Sequence, residues 1–189
     1  MMFDDDLFGK VVNTGHIMTK TSKNETIFKL AHKDFSNIPF SELSVLLSWL
    51  KATTIVHQTS HWTASGDPYY GDHLLFERLY NQVNGEIDKI AEKAIGLSSA
   101  ALVDVVKIEK NTYRMVVLIN NERPGIPDSN DLAQKSLEFE ESLLDAIKLT
   151  LSSLQMNGNS TPGVQNLLEQ MYDDHEGSIY LLKQRLSRH

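Results

Sequence analysis

Two histidines and three carboxylates stand in the stretch from His61 to Glu92 at spacings that a helix would turn into shared faces. His73 and Glu77 are four apart, as are Asp88 and Glu92, so each pair sits on one face a single turn apart. Each pair can hold one metal ion through imidazole nitrogen and carboxylate oxygen. Glu77 and Asp88, however, lie about 16 Å apart along a helix axis, too far for both pairs to serve the same ion. All four positions fall within an arc of roughly 100° and so line one side of the helix. Two such helices packed antiparallel about a two-fold axis would bring the His73 end of one against the Glu92 end of the other. Two mixed sites follow, each with His61, His73 and Glu77 from one chain and Asp88 and Glu92 from its partner.

The elements that must position these residues are helices. A first helix is expected after Pro39, with Ser41 as cap and Leu43, Leu46, Leu47, Leu50 and Thr54 in a stripe continued by His57 and His61. Ser, Gly, Asp and Pro between Thr63 and Gly71 mark a short connection. A second helix runs from Asp72 to about Ile95, with Phe76, Leu79, Val83, Ile87 and Ile90 as its apolar face and Gly96 as a stop. Residues 97–128 form a helical or partly irregular crossover. A third helix begins at Ser129 or Asp131 and reaches about Met156. The fourth starts at Thr161 with Pro162 in its first turn and ends near Leu186. Short link, long crossover, short link is the connectivity of an all-α, ferritin-like four-helix bundle. Residues 1–38 read as an N-terminal extension outside the core, and residues 39–189 as the bundle domain. Between Lys10 and Lys33 the extension carries Lys10, Lys20, Lys23, Lys29 and Lys33 against Glu25 alone, so it is locally basic within an acidic protein.

The motif reads His61-Trp62, Gly66, Tyr69-Tyr70, His73, Glu77, then Asp88-Lys89-Ile90-Ala91-Glu92. Over about 35 residues it resembles the Dps family, the DNA-binding proteins from starved cells. Glu77 stands where the family usually has Asp, and Lys93 where Arg is common. The resemblance implies a hollow dodecamer built from two-fold dimers, with iron sites between the related subunits. Fe(II) would be oxidised there, preferentially by hydrogen peroxide, and ferric mineral stored in the cavity, which protects against oxidative damage. The site residues would be His61, His73, Glu77, Asp88 and Glu92, with iron as the metal and zinc or manganese able to substitute. The competing class is a non-enzymatic ferritin-like shell, scaffold or DNA-compacting protein whose metal site is structural or vestigial.

Composition narrows the alternatives. The 189 residues include no cysteine, which excludes thiolate zinc sites, iron–sulfur clusters and cysteine nucleophiles. No stretch has the ~20 apolar residues that cross a bilayer, and MMFDDDLFGK lacks the pattern of an export signal, so a cytoplasmic protein with no membrane partner is expected. A formal charge of −7 is a poor attractor of nucleic acid, which leaves the basic N-terminal tract as the route to DNA and to the nucleoid. His57 and His175 read as core residues satisfied by hydrogen bonds. His57 and His61 have zinc-protease spacing, but Gln58 replaces the catalytic Glu. Glu169, Asp173 and Glu176 read as a solvated or cavity-facing side, and Trp62, Tyr69 and Tyr70 as packing residues.

Overall fold

The computed structural model of the chain describes residues 20–119 and 127–187. Among them are six α-helices and no strand: α1 (Lys20–Lys33), α2 (Ser41–Thr63), α3 (Tyr69–Leu97), α4 (Val105–Ile119), α5 (Ser129–Met156) and α6 (Pro162–Leu186), with a 3-10 turn at Ala100–Val103. The four long helices are α2, α3, α5 and α6, as the periodicity predicts. Asp128 caps α5 by accepting from the Asp131 backbone N–H, and the Asp131 side chain accepts from Asp128 N–H in return. Thr161 caps α6 by accepting from the Val164 N–H.

Side-chain pairs fix the directions of the helices. Glu42 near the start of α2 accepts from Ser153 and Asn157 at the end of α5, while Ser60 near the end of α2 meets Ser136 near the start of α5. These two helices are therefore antiparallel. Asp72 with Arg185 and Glu86 with His175 show the same for α3 and α6. Each short link also reverses direction, so α3 and α5 run parallel, and the chain must climb the length of the bundle between them. The crossover does this with α4, whose inner face of Ile108, Asn111, Thr112, Met115 and Ile119 packs on α2. Thr112 donates to the Ser48 carbonyl, and Ser44 donates to the Leu102 carbonyl.

Because α2 packs against α1, α3, α4 and α5, every residue from Ser41 to Leu50 is buried, Trp49 among them. A stretch of helix enclosed on all sides, as Ser41 to Leu50 is, needs no polar face. Ser44 and Ser48 donate to the carbonyls of Leu102 and Ser44. Ser41 does not act as the expected cap. Phe40 holds the cap position in the left-handed region (φ 62°) without a side-chain bond, and Ser41 Oγ instead meets His32 Nε2 at 2.8 Å.

The N-terminal segment departs most from expectation. Residues 20–38 are not outside the core: Ile27, Phe28 and Ala31 of α1 are buried with Phe35 in the main hydrophobic cluster, and Asn24 donates to Asp145 on α5. The apolar positions at 27, 28, 31 and 35 do follow helical spacing once the polar residues before them are set aside. Lys10 and the rest of residues 1–19, like residues 120–126 of the expected crossover loop, lie outside the described residues. None of the described helices is long and apolar enough to cross a membrane.

The core is divided in two. A large cluster built around Leu46, Trp49, Leu50, Val83, Phe139 and Leu143 fills one end, and Phe76, Leu79, Leu132, Leu137, Ile179 and Leu182 fill the other. At the seam lie His57, Glu86, Glu140 and His175, each at most 3% exposed.

Candidate metal centre at the turn between α2 and α3

His61 ends α2 and His73 opens α3, and the short link folds the two rings onto each other. Their centroids are 3.7 Å apart with planes 27° from parallel. The backbone locks the arrangement: His61 Nδ1 donates to the His73 carbonyl at 3.0 Å, and His73 Nδ1 donates to the His61 carbonyl at 3.2 Å. With Nδ1 carrying the proton in both neutral rings, each Nε2 is left with a bare lone pair. A carbonyl holding the far nitrogen of a ligating imidazole is the usual outer support of a metal site. Tyr80 sets its edge against His61 at 5.3 Å and Tyr69 leans on His73 at 5.2 Å, so both rings are held in place by neighbours.

The start of α3 is itself anchored. Asp72, next to His73, is buried and receives Arg185 of α6 through two guanidinium nitrogens and Ser129 of α5 through its hydroxyl. The hydrogen bond to Asp72 raises the Arg185 pKa, with burial opposing it and the Asp72 charge adding to it. This clasp fixes the register at which α3 presents His73. Nothing in the sequence pattern singled it out, because Asp72 reads as a first-turn acid and Arg185 as a last-turn base.

Glu77 follows His73 by one turn and is half-buried, whereas Asp88 and Glu92 are exposed about three and four turns further along the same side of α3. None of the three has a hydrogen-bond or ion-pair partner among the described residues. Nor do three or more His, Asp or Glu side chains of one chain surround a common point there. One chain therefore brings together His61 and His73, and no contact joins Glu77, Asp88 or Glu92 to them among the described residues. Trp62 and Tyr70 do not pack as expected: they are 70% and 74% exposed, and Tyr69 is 47% exposed, around the same turn.

His57 and His175 are buried and hydrogen-bonded, as read. His57 donates through Nε2 to Glu140, and His175 lies between Glu140 and Glu86 through both nitrogens. Glu86 and Glu140 escaped notice in the sequence. The signal that marks them is a carboxylate at a register position whose neighbours along the stripe are apolar: Val83 and Ile90 for Glu86, Leu137 and Leu143 for Glu140.

Helix order and the single long crossover define a ferritin-like four-helix bundle. No family model matches the chain. It is 23% identical over 146 residues to the nutrient stress-induced DNA-binding protein of Nostoc sp., a match covering 77% of this chain and 76% of that relative. Dps from Thermosynechococcus elongatus superposes with a TM-score of 0.66 at 16% identity, covering 88% of this chain and 96% of that one. The Vibrio cholerae Dps protein, described as a member of a broad superfamily of ferritin-like diiron-carboxylate proteins, gives 0.64 at 19% identity, covering 88% and 92%. The likeness to the Dps family that the motif carries thus extends to the fold.

Proposed function

We propose that this protein is a Dps-like ferroxidase and iron store, with Fe(II) and hydrogen peroxide as substrates. The observation that carries this reading is the reciprocal backbone locking of His61 and His73, which frees both Nε2 lone pairs, with Glu77 one turn further along α3 from His73. Imidazole with carboxylate suits Fe(II), and zinc or manganese would compete for the same donors. Asp88 and Glu92 reach such a site only from a second chain, so the active unit is a two-fold dimer, and a closed dodecamer of these dimers would enclose the mineral. Exposed Trp62, Tyr69 and Tyr70 around the turn are apolar surface for that contact. In the reaction two Fe(II) each give one electron to one peroxide; the O–O bond breaks, two protons are taken up, and two waters and two Fe(III) result. The protein's part is to hold and orient the ions and to supply an open coordination position.

The test is Fe(II) oxidation by peroxide. The variant carrying His73→Ala with Asp88→Ala should lose the acceleration; unchanged rates would remove these residues from the mechanism. Sharing between chains is tested by co-assembling single variants. His73→Ala and Asp88→Ala chains are each inactive alone, yet mixed dimers restore one intact site, giving roughly a quarter of the wild-type sites on random pairing. No recovery on mixing would sink the shared site.

DNA binding, in the cytoplasm at the nucleoid, is a second part of the proposal. The Nostoc relative is named for it, and Lys29 and Lys33 are exposed on α1. Deleting residues 1–19 together with Lys29→Ala and Lys33→Ala should weaken salt-sensitive retention of DNA in a gel. Unchanged retention would assign the basic tract another role.

A further inference from the structure

A layer of buried ionisable side chains crosses the bundle at the seam of its core, one from each long helix: His57 from α2, Glu86 from α3, Glu140 from α5 and His175 from α6. His57 Nε2 donates to Glu140 at 2.7 Å, His175 Nδ1 donates to Glu140 at 2.6 Å, and His175 Nε2 donates to Glu86 at 2.8 Å. We propose that this layer is a positioning device for the metal centre: it sets the roll and register at which α2 and α3 present their ligand-type residues. The inference rests on the proposed function, and the layer acts through the helices rather than on iron.

The placement of the layer carries the inference. At 100° per residue Glu86 lies about 180° round α3 from Glu77 and about 160° from Asp88, so it grips the helix from behind the ligand face. It also falls between Glu77 and Asp88 along the axis, and His57 stands one turn before His61 on α2. The layer therefore holds the two helices that carry His61, His73, Glu77, Asp88 and Glu92, and ties both to α5 and α6. The other inward side chains of α3 are mostly apolar: Phe76, Leu79, Val83, Ile90 and Ala94. Apolar burial is non-directional and tolerates small slides, whereas bonds of 2.6 to 2.8 Å weaken steeply when their partners turn away. Asp72 fixes the first turn of α3. Among the described residues the Glu86 bond is the last hydrogen-bonded tie from α3 to another helix before Asp88 and Glu92.

The chemistry of the layer agrees. Buried ionisable groups are costly, and apolar residues of the same volume would serve stability as well or better. His57 Nδ1 and Glu86 Oε1 are left without a hydrogen-bond partner, an unfavourable feature that packing alone does not call for. What the layer supplies, and leucines would not, is one alignment of the four helices. Rolling α3 by about 10° carries an atom ~6 Å from its axis by about 1 Å, and a misplacement of that size can cost roughly a hundredfold in rate. In a shared site the error counts twice, since one helix gives His73 and Glu77 to one site and Asp88 and Glu92 to the other.

The test replaces the layer in the full chain by apolar residues, as His57→Leu, Glu86→Met, Glu140→Met and His175→Leu together. The expected variant unfolds in urea at or above the wild-type midpoint, yet oxidises Fe(II) with peroxide at least tenfold more slowly. Position is read separately from activity. Because the chain has no cysteine, spin labels on Lys89→Cys and Ser152→Cys, both exposed, report the distance between α3 and α5 in labelled chains diluted with unlabelled ones. That distance should shift or broaden in the layer variant. Should the layer variant not fold, Glu86→Gln and Glu86→Leu decide: Gln still accepts from His175 and should keep the distance, with a rate within threefold of wild type, whereas Leu should lose both. Wild-type distances or wild-type rates in a folded layer variant would overturn the proposal, as would equal distances in Glu86→Gln and Glu86→Leu. A wild-type protein that does not oxidise Fe(II) would instead sink the proposed function, and the distances alone would then decide whether the layer sets α3.

Discussion

A histidine becomes a metal ligand by what its second nitrogen does. At the α2–α3 turn both Nδ1 atoms are tied to backbone carbonyls, so the tautomer is set by the chain path. His57 and His175 lie on equivalent stripes yet are tied to carboxylates. Residue type and helical spacing do not distinguish these two fates; the partner does. Glu77, half-buried and without a partner among the described residues, separates function from stability. Glu77→Ala should lower peroxide-driven Fe(II) oxidation by at least tenfold. Its unfolding free energy should stay within about 0.5 kcal/mol of wild type, the range of surface substitutions away from networks. Stopped-flow oxidation and urea denaturation measure the two, and a large stability loss would mean Glu77 is structural. Glu77→Asp should retain activity with altered iron affinity, since it withdraws the carboxylate by one methylene.

Among the elements, α1 and the clasp on α3 decide most. Ile27, Phe28 and Phe35 are buried against α2 and α5, and burying an aromatic or large aliphatic side chain stabilises by about 1.5–3 kcal/mol. Removing residues 1–38 therefore forfeits several kcal/mol from a fold of this size and exposes the core. The expected outcome is an aggregating product, whereas removal of residues 1–19 leaves a cooperative melt. The Arg185 clasp makes a sharper prediction. Arg185→Ala strands a buried Asp72, and because Arg185 is 14% exposed the loss should fall somewhat below the range for a fully buried pair, at about 2–3 kcal/mol. Urea midpoints read that loss. Hydrogen exchange should locate it at the first turns of α3, and uniform protection there would show that the clasp does not set the position of His73.

At the scale of the whole molecule, the buried network of His57, Glu140, His175 and Glu86 makes stability depend on pH. Burial pushes the Glu140 carboxyl up, but the charge of His175 and hydrogen bonds from His175 and His57 outweigh it and hold Glu140 at about 2. Burial pushes His175 down, and the charge and hydrogen bonds of Glu140 and Glu86 outweigh that to raise it to about 10. The Glu140 contribution is present above its ordinary value of 4.5 and is lost as pH falls towards 2. That of His175 is present below 6.5 and is lost as pH rises towards 10. The urea midpoint should therefore peak between 4.5 and 6.5, and His175→Gln should flatten the alkaline limb. An alkaline limb unchanged in that variant would show that His175 is not the group responsible.

The sequence by itself determined the four long helices, their order and the long crossover, because apolar period, caps and breakers are local features of the chain. It also determined that His73 and Glu77 share a face of α3 with Asp88 and Glu92, since helical rise and twist are the same in any helix. Only the tertiary structure decided that α1 belongs to the core, that the first half of α2 is enclosed, and that His61 meets His73 ring to ring. It alone joined Glu86 and Glu140 to His57 and His175. Those outcomes depend on which surfaces face each other across gaps of up to 121 residues, as with Asn24 and Asp145. Burial and pairing energies of that kind are properties of the packed bundle, and no local spacing encodes them.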